Sequence, residues 1–557
     1  MASYCCKSNL ITYLQSYFVT IATILGTGIL GLPVKLAHSG FYPFLISFIV
    51  DAFAQSLLVH CFTDLLQRAV ACQYQRGLGE ESVPLNTIIE EDIFLESDED
   101  DGQTNVQFTG AIMKGKMQHI REVPLVQPPN LHLLAKLFLG CGLEQVFDLL
   151  IILHFVALLI CYALAGSEAF AQLIGVRHIY VIPVFVWVLT ASVLFAVGFI
   201  QPVVSILTLF KGLLLLGTTT ITFYVGVSVS EKTTNDFSYV GAPFLMGSVA
   251  LGGVFNTMPY TFEKVPYKRK QIYLYRLSVQ LGLWTCVILN ILWCWAVLDI
   301  VPQTIESACS SLSYGLAFYS NNSARETSIT CHGELSLESA AVNGKISTIP
   351  LTKLLQRDHP QFTWVAILIQ VFIAISITVS YLTIGTALHH TVGGIVQFMS
   401  PSRARTTLSK AKSKKKLSQE WLIKTGLSLV AFVIVFSVAM LDPQGFVDIL
   451  EKCVSFTMNV EVGIFVFLML LFSHHGSFKH LDLPLPLSKC LYYFIFLLPL
   501  FFNFAVVYDV YCTIRDIVHP PKLLVGLLNQ TVHGVNSSQE QTQSGQIQLM
   551  PLISTIN

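Results

Sequence analysis

The chain has 557 residues, of which 53% are hydrophobic and only 12% are charged. A soluble domain carries roughly 25% charged residues, so this composition excludes a soluble enzyme, a disordered chain and a disulfide-rich secreted domain. The net charge of −1 argues against a nucleic-acid binder. Of the 67 charged residues, 32 lie in the stretches 69–132, 302–360 and 400–420. The apolar remainder indicates a multi-pass membrane protein.

Eleven apolar segments are long enough to cross a bilayer, whose hydrocarbon core takes about 20 residues of helix. In chain order they are 12–36, 41–68, 138–171, 179–200, 202–230, 240–263, 276–301, 361–397, 421–441, 446–472 and 490–512. Several are longer than the core requires, so we expect them to tilt or to extend past the membrane. The polar segment Met1–Asn9 leads into a helix too long for a signal peptide, so no cleavable signal is expected.

These spans divide the chain into six regions. They are spans one and two (1–68), an insert (69–132), spans three to seven (133–301), a large loop (302–360), spans eight to eleven (361–512) with a basic loop at 400–420, and a tail (513–557). The insert is acidic, with a run at Asp98–Asp101, and has few aromatic residues, which predicts disorder. We interpret it as a solvated linker or as a site for a cytosolic protein partner.

Positive charge in short loops predicts the orientation. It places Lys264–Lys270 and Lys410–Lys416 in the cytosol, together with the N-terminus. The loop 302–360 and the tail then lie outside, and they contain all three N-x-S/T glycosylation signals, at Asn321, Asn529 and Asn536. Cys309 and Cys331 share the same loop and are expected to form a disulfide in an oxidising compartment. These features suit the plasma membrane or an endolysosomal membrane.

Spans one and six are interrupted by glycine and proline. Span one contains Gly26, Gly28, Gly31 and Pro33, and span six contains Gly247, Gly252, Gly253 and Pro259. Both residue types weaken helical hydrogen bonding, and unpaired backbone is tolerated in a membrane only where it lines a cavity. Interrupted spans at matching positions of two five-helix halves therefore predict a midplane binding site in an inverted repeat. The alternative is that the glycines allow close helix packing.

At these residues the chain resembles the amino acid/auxin permease family of the amino acid–polyamine–organocation superfamily. Gly26–Pro33, followed by Gly40, is similar to the first-helix signature of that family, especially in its proton-coupled branch. Val254–Pro259 is similar to the sixth-helix region, although Glu263 lies further from the proline than in the family pattern. The predicted spans and orientation, and the glycosylated loop between spans seven and eight, also fit the family.

The resemblance implies an all-α integral membrane protein of eleven helices, built as a five-plus-five inverted repeat with helices 1 and 6 broken. It implies that the substrate carboxylate meets Thr23, Gly26, Thr27 and Gly28. It implies that the substrate ammonium and side chain meet Gly252, Gly253, Phe255 and Asn256.

Candidate coupling residues lie in spans five and eight. Sodium-coupled relatives carry an asparagine shortly before the first-helix glycines, and this chain has none at 22–25. Ser376, Thr378 and Ser380 offer hydroxyls for a sodium site, or they bond to their own helix. Lys211 matches a fifth-helix lysine that occupies the place of the sodium ion in some proton-coupled members. Because Lys211 lies near the end of its span, its side chain could instead extend to the interface. The pattern favours proton coupling or uncoupled exchange over sodium.

Three further ionisable residues, Asp51, His154 and Glu461, lie within spans. Charged side chains inside a bilayer are costly and are commonly functional. Glu461 and His154 are candidate proton-relay residues, and each of the three has the alternative of a structural role.

The leading hypothesis is a secondary active transporter of small amino acids or related zwitterions that requires no cofactor beyond a coupling proton. The alternative is a transporter-like amino acid sensor or scaffold that signals through the acidic insert. Enzymatic activity is not predicted, because the chain contains no phosphate-binding loop, H-E-x-x-H motif or nucleophile elbow.

Overall fold

The computed structural model describes residues 2–79, 129–140, 142–195, 197–229, 231–305, 335–358, 360–399, 410–441, 449–475, 478 and 480–518. Several residues singled out in the sequence lie outside this description, namely Cys309, Asn321, Cys331, Asn529 and Asn536. Most of the acidic insert lies outside it as well.

The described chain is helical. The first helices are α1 (Ala2–Lys35), α2 (Phe41–Gly79), α3 (Leu131–Phe138), α4 (Leu143–Ile174), α5 (His178–Phe195), α6 (Val197–Val229), α7 (Gly241–Gly252), α8 (Val254–Phe262) and α9 (Arg269–Leu298). They are followed by α10 (Leu337–Val342), α11 (Thr348–Asp358), α12 (Thr363–Met399), α13 (Lys410–Leu441), α14 (449–473), α15 (Lys489–Phe494) and α16 (Leu497–Val518).

Ten helices in the described residues are long and apolar enough to cross a membrane, and they coincide with ten of the eleven predicted spans. The remaining predicted span, 240–263, consists of α7 and α8, which are 12 and 9 residues long and are separated at Gly253. The predicted interruption of the sixth span is therefore present. Helix α2 continues to Gly79, α13 begins at Lys410 and α16 continues to Val518.

The prediction that span one is broken is wrong. Helix α1 is continuous from Ala2 to Lys35. Its glycines instead permit close packing: a Cβ built on Gly26 would lie 2.5 Å from Ser380 Oγ, and one on Gly28 would lie 2.8 Å from Asn290 Oδ1. Because α1 packs against α6, α7, α9 and α12, the absence of side chains at these positions brings neighbouring helices closer without unwinding the backbone.

Pro33 still changes the hydrogen bonding of α1. It has no N–H to donate, so the carbonyl of Ile29, four residues earlier, has no partner within the helix. Trp293 Nε1 of α9 donates to that carbonyl at 2.9 Å. The main-chain N–H of Ser347, from the loop 302–360, donates to the next carbonyl, Leu30, at 3.3 Å. The proline thus creates a docking point for α9 and for the loop.

A buried ion pair fixes the last part of α2 to the segment after α14. Arg68 Nε donates to Asp64 Oδ2 at 2.7 Å, and its guanidinium donates to the carbonyl of Ser473 at 2.9 Å. Asp64 Oδ1 accepts from the main-chain N–H of Leu487 at 3.2 Å. These contacts hold α2 in place at its predicted cytosolic end.

Candidate functional site

The ammonium of Lys211 lies inside the helix bundle. The residue is fully buried in α6, with an exposed fraction of 0%. Its Nζ donates to the carbonyl of Ala22 at 3.1 Å, to Ser380 Oγ at 3.1 Å and to the carbonyl of Ser376 at 3.4 Å. These three acceptors match the three N–H groups of an ammonium. Lys211 therefore does not extend to the interface, and it joins α6 to α1 and α12.

The hydroxyls of α12 differ in their roles. Ser380 Oγ donates to the carbonyl of Ala22 at 2.9 Å, so it belongs to the Lys211 cluster. Ser376 contributes its carbonyl to Lys211, while its hydroxyl donates to the carbonyl of Leu25 at 3.5 Å. Thr378 bonds to its own helix, at the carbonyl of Ala374, at 2.7 Å, so its hydroxyl takes no part in the cluster.

A small central cavity lies between α1, α4, the break in α7–α8, α12 and α14. Its lining consists of Thr23, His154, Leu158, Tyr162, Val249, Gly253, Ile384, Val454 and Met458. Its volume is about 10 Å³, which is the space of a single water molecule. The helices are therefore closed around their centre in this conformation.

Two of the residues proposed for substrate binding, Thr23 and Gly253, line this cavity. The hydroxyl of Thr23 donates to its own helix, at the carbonyl of Val19, at 2.8 Å. Gly253 separates α7 from α8, so it lies at the break.

The other predicted substrate residues do not line the cavity, and those described are packed against neighbouring side chains. Gly26 and Gly28 face Ser380 and Asn290 as described above, and Gly252 faces Met458. Phe255 is fully buried against Phe62, with ring centroids 5.9 Å apart. Asn256 Nδ2 lies 3.4 Å from His154 Nε2. The side chain of Thr27 lies outside the described residues.

His154 and Glu461, from α4 and α14, are brought together next to the cavity. His154 Nδ1 lies 3.5 Å from Glu461 Oε2 and 3.4 Å from Thr457 Oγ1. Both ionisable side chains are buried. Thr457, which contacts His154, and Tyr162, which lines the cavity, were not predicted from the sequence. Their only sequence signal is a polar group within an apolar span.

Asp51 lies apart from these groups. It is fully buried in α2 and contacts Gly247 of α7, whose missing side chain leaves room for the carboxylate. Within the described residues, neither of its carboxylate oxygens has a hydrogen-bond partner. The described residues also contain no group of three His, Cys, Asp or Glu side chains that could hold a metal ion.

No protein-family model matches the chain, and neither does any curated protein sequence. Among solved structures, the chain is similar to the manganese transporter of Eremococcus coleocola bound to an aromatic bis-isothiourea compound. The TM-score is 0.50 at 10% identity, over 96% of this chain and 92% of the transporter. Two structures of mutants of the same transporter match with TM-scores of 0.44 at 10% identity, over 93% of this chain and 91% of theirs.

This similarity concerns the fold, and it agrees with the ten helices that could cross a membrane. The chain is an all-helical, multi-pass membrane protein whose fold is similar to that of this manganese transporter.

Proposed function

We propose that the chain is a secondary active transporter of small amino acids or related zwitterions that works by alternating access. The observation that carries this proposal is the position of the Lys211 ammonium among acceptors from α1 and α12. Backbone carbonyls and hydroxyls between two helices are the ligands that a coupling cation would take. An ammonium already held there favours proton coupling or uncoupled exchange over sodium coupling.

A change of protonation at Lys211 would alter the attachment of α1. The ammonium donates to three oxygens, whereas a neutral amine has two N–H groups and one lone pair. Loss of the proton would remove one hydrogen bond and turn a lone pair toward the remaining oxygens. α1 would then be held less firmly to α12, which links proton release to helix movement.

The lining of the central cavity favours a small organic substrate, bound when the helices move apart. Leu158, Val249, Ile384 and Val454 offer apolar contacts suited to an aliphatic side chain. The same lining includes the polar side chains of Thr23, His154 and Tyr162. The fold relative is named as a manganese transporter, and hard divalent ions take mainly oxygen ligands. The aliphatic lining favours a zwitterion with a short side chain for this chain.

Uptake by purified protein in proteoliposomes tests the proposal. We expect accumulation of one or more small neutral amino acids, stimulated by an inward proton gradient and unchanged when sodium is replaced by potassium. Strict sodium dependence would contradict the coupling assignment. The absence of flux for all common amino acids, from protein with a sharp thermal unfolding transition, would contradict transport.

The same preparation separates the sensor hypothesis from transport. A sensor would show substrate-dependent thermal stabilisation without flux. Removal of 80–105, which begins after the end of α2 at Gly79, should leave uptake unchanged if the chain is a transporter. The same proposal includes residence in the plasma membrane or an endolysosomal membrane, with the N-terminus in the cytosol and the tail outside. Protease protection of tagged termini tests this orientation.

A further inference from the structure

The pair formed by His154 and Glu461 has incomplete hydrogen bonding. Asn256 Nδ2 is 3.4 Å from His154 Nε2, while Asn256 Oδ1 has no partner within the described residues. Both carboxylate oxygens of Glu461 likewise lack a hydrogen bond there, although His154 Nδ1 is 3.5 Å from Oε2. Buried polar atoms are rarely left unpaired in folded proteins. The site is short of N–H and O–H donors.

One added proton corrects this shortage. The added proton either makes Glu461 a carboxylic acid that donates to His154 Nδ1, or it protonates the second ring nitrogen so that His154 donates from Nδ1 to Glu461. In both arrangements Nε2 donates to Asn256 Oδ1 after the amide turns over, an exchange of O and N that preserves its shape. The total charge of the pair then becomes zero. Without that proton, a carboxylate of Glu461 beside a neutral imidazole leaves one uncompensated charge in the buried interior of the bundle, which is strongly unfavourable.

We propose that His154 and Glu461 bind one shared proton, separately from Lys211, and that the closed conformation of the helix bundle requires this proton. The proposal rests on the proposed transport function for its role, although the proton site itself does not depend on transport. Asn256 belongs to α8, directly after the break at Gly253. Protonation of the pair is thereby tied to the position of the broken sixth span, the element beside the central cavity.

The conformation of α14 supports a functional role. Its segments Ile449–Val454 and Glu461–Val466 are π-helical, and Ser455–Val460 between them is α-helical. Such bulges occur frequently at functional sites. Val454 and Met458 line the cavity and Thr457 contacts His154, so Glu461 lies one turn further along the face of α14 that meets the substrate region.

Three neighbouring ionisable groups on α12 and α14 point elsewhere. On α12, His389 bonds to Ser428 and His390 lies 3.7 Å from Glu263 at the end of α8. On α14, Lys452 is exposed. Within the described residues, Glu461 is thus the acidic group that meets His154, and the two share their proton as one unit.

Opening of the bundle toward either side admits water to Glu461. A hydrated carboxylate no longer needs the proton, so the proton leaves on the side that has opened. It moves from the His154–Glu461 pair to water, and no other reactant is required. To close again, the helix bundle must take up a proton from the side that is open at that point. This requirement couples proton movement to the transport cycle.

Glu461→Gln is the decisive variant, because a glutamine has the shape of a protonated glutamate and cannot release a proton. In proteoliposomes we expect it to retain exchange of labelled for unlabelled substrate, within about threefold of the wild type, and to lose accumulation driven by a proton gradient by about tenfold or more. His154→Gln should lose gradient-driven accumulation as well. The matched control is His178→Gln, which alters a partly exposed pair with Glu168 at 3.4 Å and should behave as the wild type.

Thermal unfolding in lipid nanodiscs tests the proton site without any substrate. The closed state binds the proton and the unfolded chain does not hold it in this pair, so the stabilisation is present at low pH and is lost as pH rises. Between about pH 5.5 and about pH 8 we expect the midpoint of the wild type to fall by a few degrees relative to Glu461→Gln. His178→Gln should follow the wild type.

The two experiments separate the proton site from transport. If the midpoints of wild type and Glu461→Gln change with pH in parallel, the proton site is wrong whatever the flux. If Glu461→Gln retains gradient-driven accumulation at the wild-type level, its role in coupling is wrong. If the midpoints diverge as expected and no amino acid is transported, the site stands and the proposed function fails.

Discussion

The ammonium of Lys211 on α6 is hydrogen-bonded to the main-chain carbonyl of Ala22 on α1 at 3.1 Å. A backbone carbonyl is an unusual partner for a fully buried lysine, because it offers no opposite charge. The bond fixes the helix nearest the centre of the bundle to a helix of its periphery. Its strength depends on the protonation of the amine, because a neutral amine has one N–H fewer to donate.

Replacing Lys211 with methionine separates stability from transport. Methionine keeps the length of the side chain and removes the cost of burying an ammonium, so we expect the unfolding midpoint to stay equal or to rise. Uptake should fall by about tenfold or more, because α1 loses its protonation-dependent tie to α12. Unfolding in nanodiscs and uptake in proteoliposomes measure the two effects. Wild-type uptake with the same pH dependence would contradict the assignment.

Gly26→Ala tests whether the glycines of α1 serve close packing. The added Cβ would lie 2.5 Å from Ser380 Oγ and 2.7 Å from the hydroxyl of Tyr162. Overpacking of this kind costs about 1–3 kcal/mol, and it would displace a partner of Lys211. The free energy of unfolding should fall by that amount, and uptake should fall with it.

Gly212→Ala, next to Lys211 on α6, is the matched control for Gly26→Ala. A Cβ at Gly212 meets no atom within 4 Å. Alanine is the better helix former by about 0.5–1 kcal/mol, so this variant should be neutral or slightly more stable. Equal losses of unfolding free energy in the two variants would show that Gly26 is not required for close helix packing.

A double-mutant cycle tests the docking point created by Pro33. Trp293→Phe removes the shorter of two hydrogen bonds to the carbonyl of Ile29 and leaves the one from Ser347 Oγ at 3.5 Å. The free energy of unfolding should therefore fall by about 0.5–1.5 kcal/mol. Pro33→Ala restores an N–H that can satisfy this carbonyl within α1. The cost of Trp293→Phe should therefore be smaller in the Pro33→Ala background, by about 1 kcal/mol, in equilibrium unfolding. Additive effects would contradict the account.

Asp51 and Gly247 form a second pair suited to such a cycle. A side chain at Gly247 would collide with the carboxylate of Asp51, so Gly247→Ala alone should destabilise the fold by about 1–3 kcal/mol. In the Asp51→Ala background the collision with the carboxylate is gone and a tight contact of 3.1 Å with Phe48 remains, so the cost of the same change should fall below about 1 kcal/mol. Gly217→Ala, with no atom within 4 Å of its built Cβ, controls for the glycine substitution. If Gly247→Ala destabilised the fold equally in the absence of the Asp51 carboxylate, the contact between Asp51 and Gly247 would be excluded.

The positions of the membrane spans are determined largely by the sequence. A run of apolar residues is a local property, and no packing partner is needed to recognise that it belongs in a bilayer. For the same reason the interruption of 240–263 was predictable from Gly252 and Gly253, where helical propensity is lowest. Lys211 was identifiable as a candidate coupling residue from its place in an apolar span.

The same local signal, the content of glycine and proline, led to a wrong prediction for span one. Gly26, Gly28 and Pro33 suggest an unwound helix, yet α1 is continuous. Glycine lowers the cost both of unwinding and of close helix contact, and the choice depends on the neighbours. Here Ser380 and Asn290 occupy the space above two of these glycines, so packing stabilises the intact helix.

The sequence by itself determined that this is a multi-pass membrane protein, where its spans lie and which few ionisable residues they contain. Only the tertiary structure decided that Lys211 turns inward to Ala22, and that His154 and Glu461 meet beside the broken sixth span. Composition and periodicity describe one segment at a time. The direction of a buried charge depends on acceptors that distant segments supply, because a charge in a low-dielectric interior is stable only where partners surround it.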